Sequence, residues 1–510
     1  KTQSFISDLK IQYPDFSYLL ILGDENTFPA ITATNNAPSD DYFDTYDAPT
    51  IAIGRIPSTD LLLVDQFINK LTNFILNPTI GYWRDKAILI ADDEYKNGEN
   101  QACEIKHTTN SDIIYDLLAP FMNVDIMYGV EYDAIMTSDG LSHQDLNQDI
   151  INEVNNGIAL LNYIGHGDQS TLSAEKIIDM ERDMNQIAVD NNKLGIWVVG
   201  TCSFGRYDND NCMAEELILD EGAAISVIST VRSISGNYNI DFLQDLFSEY
   251  AAHFTSNDVI RIGDIVKNSK NTSYNNNSLY QGHLFHLFGD PALPLFSSNQ
   301  QVYNEFPEEI TVMEQQTIQN TDYDLATLNI QFDDFESETL YYGDPTGSCS
   351  GELNYTIPGS TIFEDNFTEN SCYRIPLDAI TCNNCNLQMS LYYQNNAIYN
   401  GLSHVSETIN LNTDVNSINI LDEIGPEINF IYQNTELIDN TIVPSNSIIN
   451  INISDTSGIN LYDGIGHSLR YWFNDENNSY ILNTDDFIYE DACSGSGSTA
   501  IVLPESYNAK

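Results

Sequence analysis

Two apolar runs, each ending in glycine and then a reactive side chain, limit what this chain can fold into. The first is Ile158-Ala-Leu-Leu-Asn-Tyr-Ile164, followed by Gly165-His166-Gly167-Asp168; the second is Leu194-Gly-Ile-Trp-Val-Val199, followed by Gly200-Thr201-Cys202-Ser203. Short apolar runs bounded by glycine read as buried strands of a parallel sheet, and the segment between them is long enough for a crossover connection. In open α/β sheets the reacting groups gather beyond the carboxyl ends of the strands, which is where His166 and Cys202 fall. A sulfur nucleophile with an imidazole beside it points to acyl transfer: the thiol is only partly ionised near neutrality, and the imidazole supplies acid–base help. Gly167 has no side chain, so its N–H and that of Cys202 could hold the oxyanion of a tetrahedral intermediate. Singly, each residue has a plainer reading, His166 as a structural hydrogen-bonder and Cys202 as a small core residue. Their pairing at two strand ends carries the functional reading.

The rest of the first half alternates strands and helices. Strands are expected at 18–23, 51–55, 86–91, 124–128 and 223–228. Helices are expected from a Ser58-Thr-Asp60 cap to Leu76, over the Ile113–Leu118 region, from a Ser142-His-Gln-Asp145 capping box to Asn156, near Ala214–Leu219, and twice within 240–267. That alternation predicts an α/β fold with a largely parallel sheet. Ser39-Asp-Asp-Tyr42 and Asp44–Asp47 read as a polar loop. Its carboxylates could hold a structural calcium, but they lack EF-hand spacing, so a solvated turn is the expectation and no cofactor or metal is required. From about residue 297 the texture becomes short alternating runs separated by Asn, Asp, Gly and Ser, the signature of Ig-like β-sandwich modules. A linker is expected around Asp422-Glu-Ile-Gly-Pro-Glu427.

Charge excludes some function classes. Nineteen Lys+Arg against 75 Asp+Glu give a net charge of −56, which repels nucleic acid and anionic headgroups. No apolar run approaches the roughly 20 residues of a membrane span. The chain opens at Lys1 without a start methionine and is expected to be a piece of a longer protein, so a missing signal segment carries no information. Of the eight cysteines, Cys382-Asn-Asn-Cys385 has half of a zinc-ribbon spacing without a second pair. Disulfides in an exported chain are the preferred reading, with the pairing left open.

The blocks Asn162-Tyr-Ile-Gly-His-Gly-Asp168 and Val198-Val-Gly-Thr-Cys-Ser203 resemble the His-Gly and Cys blocks of gingipain-type cysteine peptidases, family C25, which have a caspase-like fold. Leu19–Asp24, Ser39-Asp-Asp-Tyr42, Gly54-Arg-Ile-Pro57, Cys212-Met-Ala-Glu-Glu216 and Phe288-Gly-Asp-Pro-Ala292 agree, so the resemblance spans nearly all of 1–296. It implies an N-terminal α/β subdomain (1–82) and a caspase-like catalytic subdomain (83–296); the texture change at 297 and the linker near 422 add a β-sandwich domain (297–421) and a further, truncated β domain (422–510). Carried over by position, it makes Cys202 the nucleophile, His166 the general acid/base, and the Gly167 and Cys202 amides the oxyanion hole. Glu94, with Asp93 as the alternative, would orient the histidine, and Ser229, Thr230, Val231 and Arg232 would line the substrate pocket. Arginine-specific gingipains carry an acidic residue at the pocket floor, where this chain aligns Lys106-His107, so arginine specificity is not transferred.

Asp455-Thr-Ser-Gly-Ile-Asn460, Gly464-Ile-Gly-His467 and Ile481-Leu-Asn483 resemble the C-terminal β region of the sortase branch of that family, which serves type IX secretion in Bacteroidetes. This implies an exported enzyme at the cell surface, associated with the outer membrane. It would cleave the C-terminal sorting domain from secreted cargo and pass the acyl group to water or to an amine of anionic lipopolysaccharide, alongside outer-membrane secretion partners. Two alternatives stand beside it: a secreted general endopeptidase with the same dyad, and a non-catalytic surface adhesin built on the β domains.

Overall fold

The structure is a computed structural model. It describes the chain except residues 1, 33–36, 94–105, 138–139, 190–191, 209–210, 257, 276–278, 296, 299–305, 319–322, 343–349, 370, 377–385, 395–399, 406–407, 413–424, 460, 462–468, 473–478, 483–486, 492, 494 and 504–510. Glu94, Cys382-Asn-Asn-Cys385 and Gly464–His467 therefore lie outside the described residues.

The chain divides into two compact units. One comprises residues 1–300, 336–357 and 396–401; the other takes in the remainder. The first is built on eight strands: β1 (Tyr18–Leu22), β2 (Ala52–Ile56), β3 (Lys86–Ala91), β4 (Asn123–Tyr128), β5 (Leu160–Ile164), β6 (Gly195–Gly200), β7 (Ala224–Thr230) and β8 (Phe285–Phe288). They form one sheet in the order β1-β2-β8-β7-β6-β5-β3-β4. Every pairing is parallel except β7 with β8. Strands on both sides of residue 82 share this sheet, joined at β2–β8 through the single pair Phe288↔Arg55. Central strands β5, β6 and β7 are buried along their whole length, as a sheet covered on both faces requires.

The covering helices are α1 (Thr2–Gln12), α2 (Leu61–Leu76), α3 (His107–Leu118), α4 (Gln144–Asn156), α5 (Met213–Leu219), α6 (Gly236–His253) and α7 (Ile262–Asn275). Asp60 caps α2 by accepting from the Leu62 N–H at 2.8 Å, as its sequence predicts. Helix α4 departs from the expected capping box: His143 is its N-cap and makes no side-chain cap hydrogen bond. Its far end follows the sequence, with Gly157 at φ 99°.

The Ser39-Asp-Asp-Tyr42 segment is not a solvated turn. Asp40 and Asp41 are buried. Asp40 holds Arg55 through two hydrogen bonds of 2.8 and 2.6 Å, and Asp41 accepts from Lys270 Nζ at 2.7 Å and pairs with His283 Nδ1 at 2.9 Å. Burial raises the Asp41 carboxyl, but Lys270 and His283 outweigh it and hold it well below the usual carboxylate range. These carboxylates are thus engaged by protein cations that lie far away in sequence.

One hairpin, Phe335–Tyr342 with Ser350–Ile357, belongs to the first compact unit although the β-rich segments flank it in sequence. Leu353 and Tyr355 are fully buried within the core of that unit. The Tyr355 ring packs edge-on against Tyr128 at 5.7 Å, its hydroxyl donates to Glu131, and the Thr356 N–H donates to Asp112 at 2.8 Å. The α/β core is therefore completed by residues beyond 296.

In the second unit, Leu325–Phe332 pairs antiparallel with Thr361–Phe367 and Asn386–Gln394. A further antiparallel sheet contains Glu427–Tyr432, Ile448–Ser454, Ser496–Val502 and Ile488–Asp491. Both sheets contribute to one hydrophobic cluster, in which Phe363 stacks on Tyr489 at 4.9 Å. A Cys372–Cys493 disulfide ties the two segments covalently.

Two expectations follow. Tyr355→Ala removes a fully buried ring and should cost about 3–5 kcal/mol, read as a lower denaturation midpoint of the α/β unit. His286 is fully buried, which pushes its pKa down to about 4. Between the unfolded value near 6.5 and that figure, the unfolded chain binds a proton that the fold refuses, so stability falls as pH drops. This group should contribute a loss of about 2 kcal/mol between pH 7 and 5, and His286→Gln should flatten that part of the urea-midpoint profile.

Candidate active site

The site grows from the pairing of β5 with β6. Their register runs from Leu160↔Ile196 to Ile164↔Gly200, and both chains leave the sheet there. His166 and Cys202 each follow two residues later, so equal spacing past a shared register pair puts them at the same level on adjacent strand ends. Both are half-buried.

The glycines are there for close approach. A Cβ on Gly165 would lie 2.3 Å from Asp92 Cβ, and one on Gly167 would lie 2.7 Å from the Thr171 carbonyl and 2.8 Å from Thr201 Oγ1. Gly167 bridges Leu172 antiparallel. The hydrogen bonds of that bridge come from the neighbours, Asp168 N–H to Thr171 O at 3.0 Å and Ser173 N–H to His166 O at 2.9 Å. This is the pattern that leaves the bridged residue's own N–H outside the ladder. Among the described residues the Cys202 N–H also has no backbone acceptor. Two amides next to the thiol and the imidazole thus remain available to an incoming oxygen.

Cys202 sits in a tight turn. Ser203 follows it at φ 60°, a backbone state that non-glycine residues adopt only when held there. Thr230 holds it: its Oγ1 accepts the Ser203 N–H at 3.1 Å and donates to the Thr201 carbonyl, and the Arg232 carbonyl accepts the same Ser203 N–H at 3.2 Å. The Cys202 thiol lies 3.6 Å from the Ile234 carbonyl. The backbone of His166 is fixed at both ends. Its N–H donates to Asp92 Oδ2 at 2.9 Å and its carbonyl accepts from Tyr163 Oη at 2.6 Å. The His107 ring meets the His166 ring edge to face at 5.2 Å.

The expected pocket residues have other partners. Ser229, Thr230 and Val231 are fully buried, and Ser229 Oγ donates to the Val199 carbonyl at 2.7 Å. Ser229 and Thr230 close an interior strand and Val231 follows it, and all three, being fully buried, offer substrate no surface. Arg232 forms a two-pronged ion pair with Asp208 at 2.7 and 2.6 Å, so its charge is already matched. The Lys106 ammonium is 2.9 Å from where a Gly236 side chain would begin, two residues beyond Ile234.

Glu94 lies outside the described residues. Asp93 is buried and faces His143, with Oδ2 3.6 Å from Nε2. Asp92, Asp93 and Glu175 converge within 4.8 Å of one another. Burial, reinforced by Asp93 and Glu175, pushes the Asp92 carboxyl well up, and burial followed by the Asp93 charge pushes Glu175 up to about 7. Sequence reading missed Glu175 and His143, which carry no local signal: one lies in a turn and the other in an apparent helix cap. Cys212, the other free cysteine among the described residues, is buried at the start of α5. Burial raises its thiol far above the usual range, which makes it inert. A cleft of about 770 Å³, lined by carboxylates such as Asp24, Asp60 and Glu216, includes neither Cys202 nor His166.

Residues 1–296 match Peptidase family C25. The chain belongs to this cysteine peptidase family. Its α/β core is accordingly the gingipain-like, caspase-like one, followed by all-β domains. Among curated proteins, none matches. The solved structures it is similar to include the Arg-specific cysteine proteinase gingipain R (RgpB), at 17% identity and TM-score 0.48, covering 80% of this chain and 87% of the other. The complex of Porphyromonas gingivalis RgpB pro- and mature domains is similar at 17% identity and TM-score 0.47, covering 80% of this chain and 89% of that one. Dimeric latent PorU from Porphyromonas gingivalis is similar at 14% identity and TM-score 0.28, covering 99% of this chain and 47% of the PorU chain.

Thr230→Val keeps the volume but removes the acceptor of Ser203 and the donor to Thr201. In this C25 chain it should slow iodoacetamide labelling of Cys202 or peptide cleavage by about 10–100-fold, with the far-ultraviolet circular dichroism unchanged.

Proposed function

We propose that Cys202 and His166 are the nucleophile and the general acid/base of a cysteine endopeptidase that removes the C-terminal sorting domain of type IX secreted proteins. The observation that carries the chemistry is their common level on β5 and β6, with the Gly167 and Cys202 amides beside them. The thiolate attacks the scissile carbonyl carbon, and the two amides stabilise the developing oxyanion. The C–N bond then breaks as His166 gives a proton to the leaving amine, leaving a thioester on Cys202. Water or an amine attacks that thioester, His166 takes the proton, and the thiolate leaves. A water acceptor releases the cargo, and an amine on anionic lipopolysaccharide anchors it.

The sortase assignment is supported by the resemblance of Asp455–Asn460, Gly464–His467 and Ile481–Asn483 to the sortase branch of the family. Export to the cell surface and association with the outer membrane are supported by the Cys372–Cys493 disulfide, a bond that persists in oxidising compartments. No helix among the described residues is long and apolar enough to cross a membrane. Protein substrates bearing a sorting domain, outer-membrane secretion partners and lipopolysaccharide are the partners of this reading, and Glu94 is kept as the group that orients His166.

The test uses a cargo protein carrying its C-terminal sorting domain, with and without an amine acceptor, and reads the mass of the new C-terminus. Wild type should give one cleavage product and an acceptor adduct, and Cys202→Ala should give neither. Cleavage that persists without Cys202 would overturn the mechanism. Cys202-dependent cleavage at many unrelated sites, with water as sole acceptor, would make the protein a general secreted endopeptidase instead.

A further inference from the structure

The carbonyl of Gly200 is the last of β6 before the turn that carries Cys202, and two segments distant in sequence converge on it. The Gly165 N–H, next to His166, reaches it at 3.5 Å, and Asn239 Nδ2 donates to it at 2.8 Å. The shorter bond comes from α6, so a side chain supports the end of β6 more closely than its own sheet partner does.

Asn239 is buried in the first turn of α6. Its own N–H donates to the Ser235 carbonyl at 3.0 Å, which closes that turn. The residue before Ser235 is Ile234, whose carbonyl accepts from the Cys202 thiol at 3.6 Å. Asn239 thus grips β6 two residues before Cys202 and, through one helical turn, fixes the carbonyl that the thiol meets. Gly200 permits the contact: a Cβ there would lie 3.1 Å from both Nδ2 and Oδ1 of Asn239 and 2.6 Å from Leu243 Cδ1.

A carbonyl can only accept, so the Asn239 amide must turn its NH2 to Gly200. Oδ1 is buried and has no hydrogen-bond partner among the described residues. A buried acceptor left unpaired is unfavourable, and asparagine is a poor helix former. Leucine branches in the same way with neither drawback, so what asparagine adds at this position is the donor to Gly200.

We propose, on the basis of the Cys202–His166 dyad assigned above, that Asn239 is a positioning residue for that dyad. It touches no reacting atom. By holding the Gly200 carbonyl it sets the level at which Cys202 leaves the sheet beside His166, and by closing the first turn of α6 it keeps the Ile234 carbonyl against the thiol. Without the amide, the Gly200 carbonyl keeps the longer bond from Gly165. A displacement of about 1 Å between reacting groups costs on the order of 100-fold in rate.

The experiment follows iodoacetamide labelling of Cys202 in the full chain, read by mass on the peptide that carries it, together with thermal unfolding. Wild type is compared with His166→Ala, Asn239→Leu, Asn239→Asp and the double variant His166→Ala/Asn239→Leu. Both Asn239 variants remove the donor. Leucine, with the same branching and no charge, should lower the melting temperature less than aspartate, a buried carboxylate facing a carbonyl. Labelling should nevertheless slow by about tenfold or more in both, and Asn239→Leu should add nothing once His166 is gone. Where peptide cleavage is followed, the loss should fall on kcat with KM little changed. Labelling at the wild-type rate in Asn239→Leu, with His166→Ala slowed, would overturn the positioning role alone. So would a loss that persists in full without His166, or one that tracks melting temperature across the two variants, because either marks a purely structural residue. Labelling at the wild-type rate in His166→Ala would instead overturn the dyad, and the positioning role with it.

Discussion

The parallel pairing of β5 with β6 is the constraint on which the rest of this molecule depends. Side chains alternate faces along a strand, so a shift of one residue in that register would turn the segment after Gly200 relative to the one after Ile164. The thiol and the imidazole would then no longer emerge at one level. The register is secured by burial: β5, β6 and β7 have no exposed residue, and Trp197 and Tyr163 are fully buried within them. A slip would move this apolar surface out of the core, at a cost of a few kcal/mol per large side chain.

Charge is arranged on the same principle. With 19 basic residues against 75 acidic ones, cations are scarce, and several are buried where they link distant segments. Arg55 binds Asp40 and the carbonyls of Gly23 and Phe28, fixing the loops around β2. Lys270 matches Asp41 across more than 200 residues. Lys70, on α2, donates to the carbonyls of Ile218, Asp220 and Ala224, ending α5 and starting β7, and burial pushes its pKa down to about 7. Acidic residues that would be ordinary at the surface become structural only because the fold brings a cation to them.

Much of the architecture was legible in the sequence because its signals are local. Runs such as Lys86–Ala91 and Ile158–Ile164 are apolar for the length of one strand and end at glycine or a polar turn. Asp60 and Gly157 mark helix ends through backbone geometry that each residue type favours by itself. The Gly-His-Gly block was readable for a similar reason, since glycine on both sides of a histidine permits the close approach that the structure uses. Local signals failed where a residue's role depends on a distant partner. Ser142-His-Gln-Asp145 reads as a capping box, but His143 faces Asp93 instead. Arg232 reads as a pocket residue, but Asp208 engages it.

The sequence by itself determined the strand and helix alternation, the change to β-rich texture after 296, and the candidacy of His166 and Cys202. Each of these follows from residue types within a few positions of one another. The tertiary structure alone decided that Asp40 and Asp41 are buried ion-pair partners, that Thr230 supports the Cys202 turn, and that the 336–357 hairpin completes the α/β core. It also decided that Asp92, Asp93 and Glu175 meet. Those outcomes are set by desolvation and charge matching between residues far apart in the chain, and such terms take their sign from what the fold places next to each group.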